Sequence, residues 1–121
     1  MWYAAHIIMS VKFDNPNDQD TFPVWENIVL VEAANEDAAW DKAELQGKAE
    51  ETDGTDHFRW RDKPARWVFA GIRKLIECRS DDSDDRPVDG AEVSYSQIVL
   101  PDKESLARLV NGKPVTVYYE E

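Results

Sequence analysis

The chain has 121 residues, enough for one domain with a single core, here taken as residues 1–121. Its 25 acids against 14 bases give a formal charge of −11, which repels polyanions and argues against nucleic acid or an anionic membrane as a partner of the whole surface. A lone cysteine, Cys78, excludes an intramolecular disulfide and fits a reducing compartment. No apolar run approaches the ~20 residues that span a bilayer. Met1-Trp2-Tyr3 lacks the basic start of a secretory signal, so a cytoplasmic protein whose first residues already belong to the fold is expected.

Residues 2–13 alternate, with Tyr3, Ala5, Ile7, Met9, Val11 and Phe13 on one face, and predict a long strand. The polar stretch DNPNDQD supplies a turn. A second strand over 24–33 is dense in β-branched residues, and the short loop makes a hairpin the default link. Asn35 is placed to cap a helix running to about Glu51, with Glu36 and Asp37 at its positive end. Ala39, Trp40, Ala43 and Gly47 form its apolar stripe, with Trp40 as the one large anchor, and Glu44 and Lys48 make an exposed pair. TDGTD ends the helix.

After a short extended piece, 58–62, a break is expected at Pro64, then a strand over 66–78. Period two puts Val68, Ala70, Ile72 and Ile76 on one of its faces and Trp67, Phe69 and Leu75 on the other. A strand apolar on both faces is covered twice, so its second cover is a helix or another chain. Gly71 within it suggests a bulge or a close backbone approach. DDSDDRPVDG reads as a solvated loop. A fourth strand over 92–100 and a helix capped by Asp102 follow, the helix burying Leu106, Leu109 and Val110 and stopping at Gly112. Residues 114–119 form a last, edge strand. The expected architecture is α+β: a largely antiparallel sheet of about five strands with two helices, in the order ββαββαβ.

The segments WYAAHIIM, VWENIVLVEAANEDAAWDKAE, WVFAGIRKLIEC and DGAEVSYSQIVL, in that order and spacing, resemble the bacterial family known as domain of unknown function 4288. The resemblance covers about residues 1–100 and implies a compact bacterial α+β domain with no assigned activity or catalytic residues. The loop 14–22 and the insertion between Thr52 and Pro64 are longer than the family pattern.

Chemistry is sparse. His6 lies mid-strand among apolar neighbours and reads as a satisfied core imidazole. His57, after Asp53 and Asp56, matches no metal-ligand spacing, and DDSDD lacks the alternation of a calcium loop. Cys78 reads as a buried structural thiol rather than a reactive one. No catalytic residue, metal site or cofactor is assigned.

The distinctive feature is Phe58–Arg79, where seven bases (Arg59, Arg61, Lys63, Arg66, Arg73, Lys74, Arg79) face two acids for a net of +5. The remaining seven bases and 23 acids carry −16. Trp60 and Trp67 sit among those bases, and Arg and Trp are common interface anchors. Three readings stay open: a solvated strand face, a surface that docks an acidic patch on a second copy, or a site for an anionic small molecule or single strand. The assignment made is a cytoplasmic interaction module without catalysis of its own. It homo-oligomerises, with a dimer favoured or a protein partner in its place, through Arg59, Trp60, Arg61, Arg66, Trp67, Phe69 and Arg73. The alternative is an anion-binding or enzymatic pocket lined by Trp60, Arg61, Arg66, Trp67 and Arg73.

Overall fold

A computed structural model describes residues 1–52, 58–78 and 87–120. The chain runs β1 (Trp2–Phe13), a 3-10 turn (Pro16–Asp18), β2 (Val24–Glu32), α1 (Glu36–Ala49), β3 (Phe58–Trp60), β4 (Lys63–Cys78), β5 (Ile98–Val99), α2 (Lys103–Val110) and β6 (Tyr118–Tyr119). It is α+β, with an antiparallel four-stranded sheet in the order β2-β1-β4-β3 and a separate β5-β6 pair. The short piece at 58 is thus a true strand. By contrast, the strands expected over 92–100 and 114–119 shrink to two residues each and pair only with one another.

β1 is central and is buried over nearly its whole length, which explains why both of its faces lack charge until Lys12. The β1–β2 hairpin closes through Asn15, which caps the 3-10 turn, and Gln19. The Gln19 side chain accepts from Phe13 N and donates to the carbonyls of Val11 and Thr21. Asn35 caps α1 as expected, its side chain accepting from Ala38 N at 2.8 Å. After α1, Thr52 exchanges two bonds with the Trp67 backbone and Glu51 accepts from Phe69 N, so the helix exit closes the β4 edge where β3 ends.

The break in the basic segment falls at Arg61-Asp62, not at Pro64. Both residues have positive φ (50° and 65°) and join Trp60 to Lys63 in a two-residue hairpin turn of the primed type that suits strand twist. Farther along, β4 gains two residues on β1. Its partners skip Arg73 between His6 and Ile7, and skip Ala70 between Ile8 and Met9. Gly71 lies between these bulges with φ of 155°. Each extra residue flips the alternation, so Trp67, Phe69, Ile72 and Leu75 all meet the α1 side of the sheet. Ile72 therefore sits on the face opposite to the one that strict period two assigns.

α1 covers that face, which supplies the expected second cover from within the chain. Ala39, Ala43 and Gly47 are buried against Tyr3, Ala5, Ile7, Met9 and Val31. Trp40 is not the anchor of this stripe. It is 37 % exposed and donates its indole N–H to Glu44 at 3.0 Å, occupying the carboxylate expected to face Lys48. The reason is angular: one position beyond Ala39 turns the side chain about 100° away from the stripe. Close approach replaces a large anchor, since a β-carbon on Gly47 would lie 2.6 Å from Phe69 Cε1 and 3.2 Å from Ile7 Cγ2.

Urea denaturation separates these roles. Gly47→Ala should destabilise by about 1–3 kcal/mol despite the better helix propensity of alanine, because the ring of Phe69 must move. Trp40→Ala should cost no more than about 1 kcal/mol. A stable Gly47→Ala would mean that α1 does not seat on Phe69.

Candidate functional site

The two faces of the sheet divide the basic segment. By register, Phe58, Trp60 and Trp67 point to the α1 face, whereas Arg59 and Arg66 point to the other and Arg61 occupies the hairpin tip. Arg59 donates to the Asp62 carbonyl across that turn. Phe69 packs on the core beside Gly47. Arg73, raised out of the ladder by its bulge, reaches across β1 to Glu26 on β2. Trp60, Arg61, Arg66, Trp67 and Arg73 therefore do not line one cavity. Arg79, His57 and the acidic run 81–86 lie outside the described residues.

The tryptophans come together with one the sequence reading left unassigned. Trp25 stands edge-on to both Trp60 (centroids 5.4 Å, 89°) and Trp67 (5.0 Å, 86°), and Phe58 leans on Trp67 at 5.4 Å. Such edge-to-face pairs contribute ~0.5–1.5 kcal/mol each beyond burial. Beside them is a cleft of about 200 Å³ lined by Met9, Trp25, Asn27, Trp67 and Glu50, the last at the C-terminal cap of α1. Trp25 and Asn27 share one face of β2 with Val29 and Val31 by period two, and that shared face is the signal in the sequence.

The opposite face carries a polar chain. His6 is wholly enclosed, with Nδ1 2.5 Å from Glu26 Oε1 and Nε2 bonded to Ser94 Oγ. The same Glu26 oxygen accepts from Arg73 Nε at 2.9 Å and Nη2 at 2.7 Å. With Glu26 ionised, Nδ1–H donates to it, and Nε2 pairs with the Ser94 hydroxyl, which can donate or accept. The expected satisfied imidazole is what the strand interior holds. The order Ser94, His6, Glu26 is also that of a nucleophilic triad. Here, however, the ring has no solvent contact and a guanidinium shares the carboxylate, an arrangement that fixes residues 93–95 to the sheet. Further ties run the same way. Lys74 bonds to Tyr95 O, the Cys78 thiol donates to Val93 O at 3.3 Å, and Arg73 lies 4.4 Å over the Tyr119 ring. Cys78 is buried, and burial together with Glu77 raises its thiol pKa, as a structural cysteine requires.

Apolar surface is left outside. Val24, Ile28 and Leu30 of edge strand β2 are half exposed on the face away from α1. α2 keeps its predicted cap, Asp102 accepting from Ser105 N at 2.8 Å, and its stop at Gly112 with φ of 70°. Its stripe is not buried: Leu106, Leu109 and Val110 are 52, 38 and 76 % exposed. Among the described residues no cluster of three potential metal ligands occurs, and no helix is long and apolar enough to cross a membrane.

Burial pushes the Glu26 carboxyl upward, but bonds and charge from Arg73 and His6 outweigh it and leave its pKa below the ordinary 4.5. Its contribution to stability is therefore complete above about pH 4.5 and is lost as pH falls through the lower folded value. Denaturant midpoints taken from pH 7 down to pH 3 should fall more steeply for the wild type than for Glu26→Gln, which starts lower at neutral pH. Parallel curves would exclude this linkage.

No curated protein and no solved structure matches the chain. The family model described as "Domain of unknown function (DUF4288)" matches residues 2–95, a span that holds the main sheet, α1, the aromatic cleft and the whole Ser94–His6–Glu26–Arg73 chain but stops short of α2. The chain therefore belongs to the DUF4288 family.

Proposed function

We propose that this domain is an interaction module that pairs with a second copy of itself. The observation that carries the reading is the uncovered stripe of α2. A helix of eight residues does not hold in water through its own hydrogen bonds and relies on packing of its apolar face. On α2 that face is outward, and Val24, Ile28 and Leu30 on β2 offer apolar surface to receive one. Tyr118 and Tyr119, also exposed, add the aromatic area that interfaces favour. Two copies of net charge −11 repel, so apolar contact must supply the affinity. The basic hairpin tip with Arg59, Arg61 and Arg66 supplies the attraction that orients them against acidic surface. The enclosed, unpaired Cys78 supports a cytoplasmic setting, and bacterial origin follows the family resemblance.

Sedimentation equilibrium at micromolar concentrations tests this. The wild type should form a dimer, and Leu109→Asp combined with Val110→Asp should shift it to monomer with an unchanged main-sheet circular dichroism signal. Arg59→Glu with Arg61→Glu should weaken association, and high salt should weaken the wild-type contact in the same direction. A wild type that stays monomeric at high micromolar concentration would overturn the proposal.

A further inference from the structure

The cleft between α1 and the aromatic cluster has a chemistry that self-association does not use. Three neighbouring strands build it: Trp25 on β2, Met9 on β1 and Trp67 on β4. The Trp25 and Trp67 rings stand at 86° with centroids 5.0 Å apart, so their planes meet in a corner, and Met9 is another lining residue. Trp60 packs perpendicular to Trp25 at 89° and so helps to hold that ring in place. The remaining lining residues are Asn27 and Glu50, whose carboxylate accepts from Gln46 Nε2 at 3.1 Å and keeps its charge. Glu50 is the C-cap of α1, so the negative end of the helix dipole and a carboxylate meet at the same opening.

We infer that this corner binds an alkylated ammonium group, of the trimethylammonium kind. The negative faces of indole rings attract a cation that is too well alkylated to need hydrogen bonds, and a nearby carboxylate adds charge without demanding close contact. Size agrees. At ~30 Å³ per water the cleft of about 200 Å³ holds roughly six or seven waters, enough for such a headgroup and its first methylene. Of the segment's bases, Arg59 and Arg66 lie by register on the other face of the sheet, Arg73 is bound to Glu26 there, and Lys63, on the face of Trp60, is 3.5 Å from Asp18. Lys48, in the last turn of α1, is the basic group nearest in sequence to Glu50 and is exposed. The site is independent of the α2 and β2 surface proposed for pairing, since Trp25 points to the α1 face and Val24, Ile28 and Leu30 to the opposite one.

The test uses the full chain and the indole N–H resonances of its five tryptophans. Titration with choline should shift the Trp25 and Trp67 signals saturably in the millimolar range. The neutral isostere 3,3-dimethyl-1-butanol, identical in shape at the headgroup, should leave them in place at the same concentrations. Glu50→Gln, at an exposed cap and harmless to the core, should weaken choline binding about fivefold, and Trp25→Ala should abolish it. A peptide carrying trimethyllysine serves as the second arm: tighter binding than choline assigns the group to a protein side chain, and weaker binding assigns it to a free small molecule. Equal shifts from choline and the neutral isostere, or no shift from choline and the peptide alike, would overturn the inference.

Discussion

β4 carries two residues more than the β1 stretch it pairs with, and the position of most other groups depends on where those residues are absorbed. Without the bulges at Ala70 and Arg73, Phe69 and Leu75 would face α1 while Ile72 faced away. With them, Phe69, Ile72 and Leu75 line up under one helix, and α1 can approach closely enough that only glycine fits at position 47. The bulge at Arg73 does a second thing. It frees a long basic side chain from the ladder and aims it across β1 at Glu26, a recurrent use of bulges.

Burying both faces of β1 sets the next requirement. Position 6 falls inside, and an enclosed imidazole must have both nitrogens satisfied. Glu26 from the neighbouring strand and Ser94 from far along the chain meet that need, and Arg73 balances the charge. The cost of burying a polar group thereby becomes a fastening for a segment with almost no regular structure. Residues 92–97 form no strand, yet their side chains and carbonyls are held by Lys74, Cys78 and His6. Low-dielectric surroundings strengthen such a chain as long as each member keeps its partner.

The same topology separates aromatic from basic chemistry in the segment that is most unusual in composition. Alternation along β3 and the first half of β4 sends Phe58, Trp60 and Trp67 toward α1 and Arg59 and Arg66 away. A stretch of net +5 thus sets its aromatic rings on one side, with Lys63 beside them paired to Asp18, and Arg59 and Arg66 on the other. In the two proposals these surfaces are used separately, an alkylated cation at the corner and acidic surface at the hairpin tip.

Local patterns alone determined the long strand at 2–13, the hairpin to β2, both helix caps, the turn at Gly112 and the buried state of His6 and Cys78, because each rests on near neighbours and on periodicity. The resemblance in strand and helix patterns likewise led to the family. Only the tertiary structure decided the facing of Ile72 and Arg73, because a bulge is a mismatch between two strands and neither strand shows it by itself; Gly71 merely marks its place. Trp40 lies off the stripe that its neighbour Ala39 marks because a single step of about 100° around a helix moves a residue to its margin. The stripe of α2 followed helical spacing correctly but is not buried, since periodicity predicts an apolar face and not what covers it. The surroundings of Trp25, Glu26, Glu50 and Ser94 are not legible in the sequence, for one shared reason. Their roles arise from groups that are distant in the chain, and such proximity is created by folding.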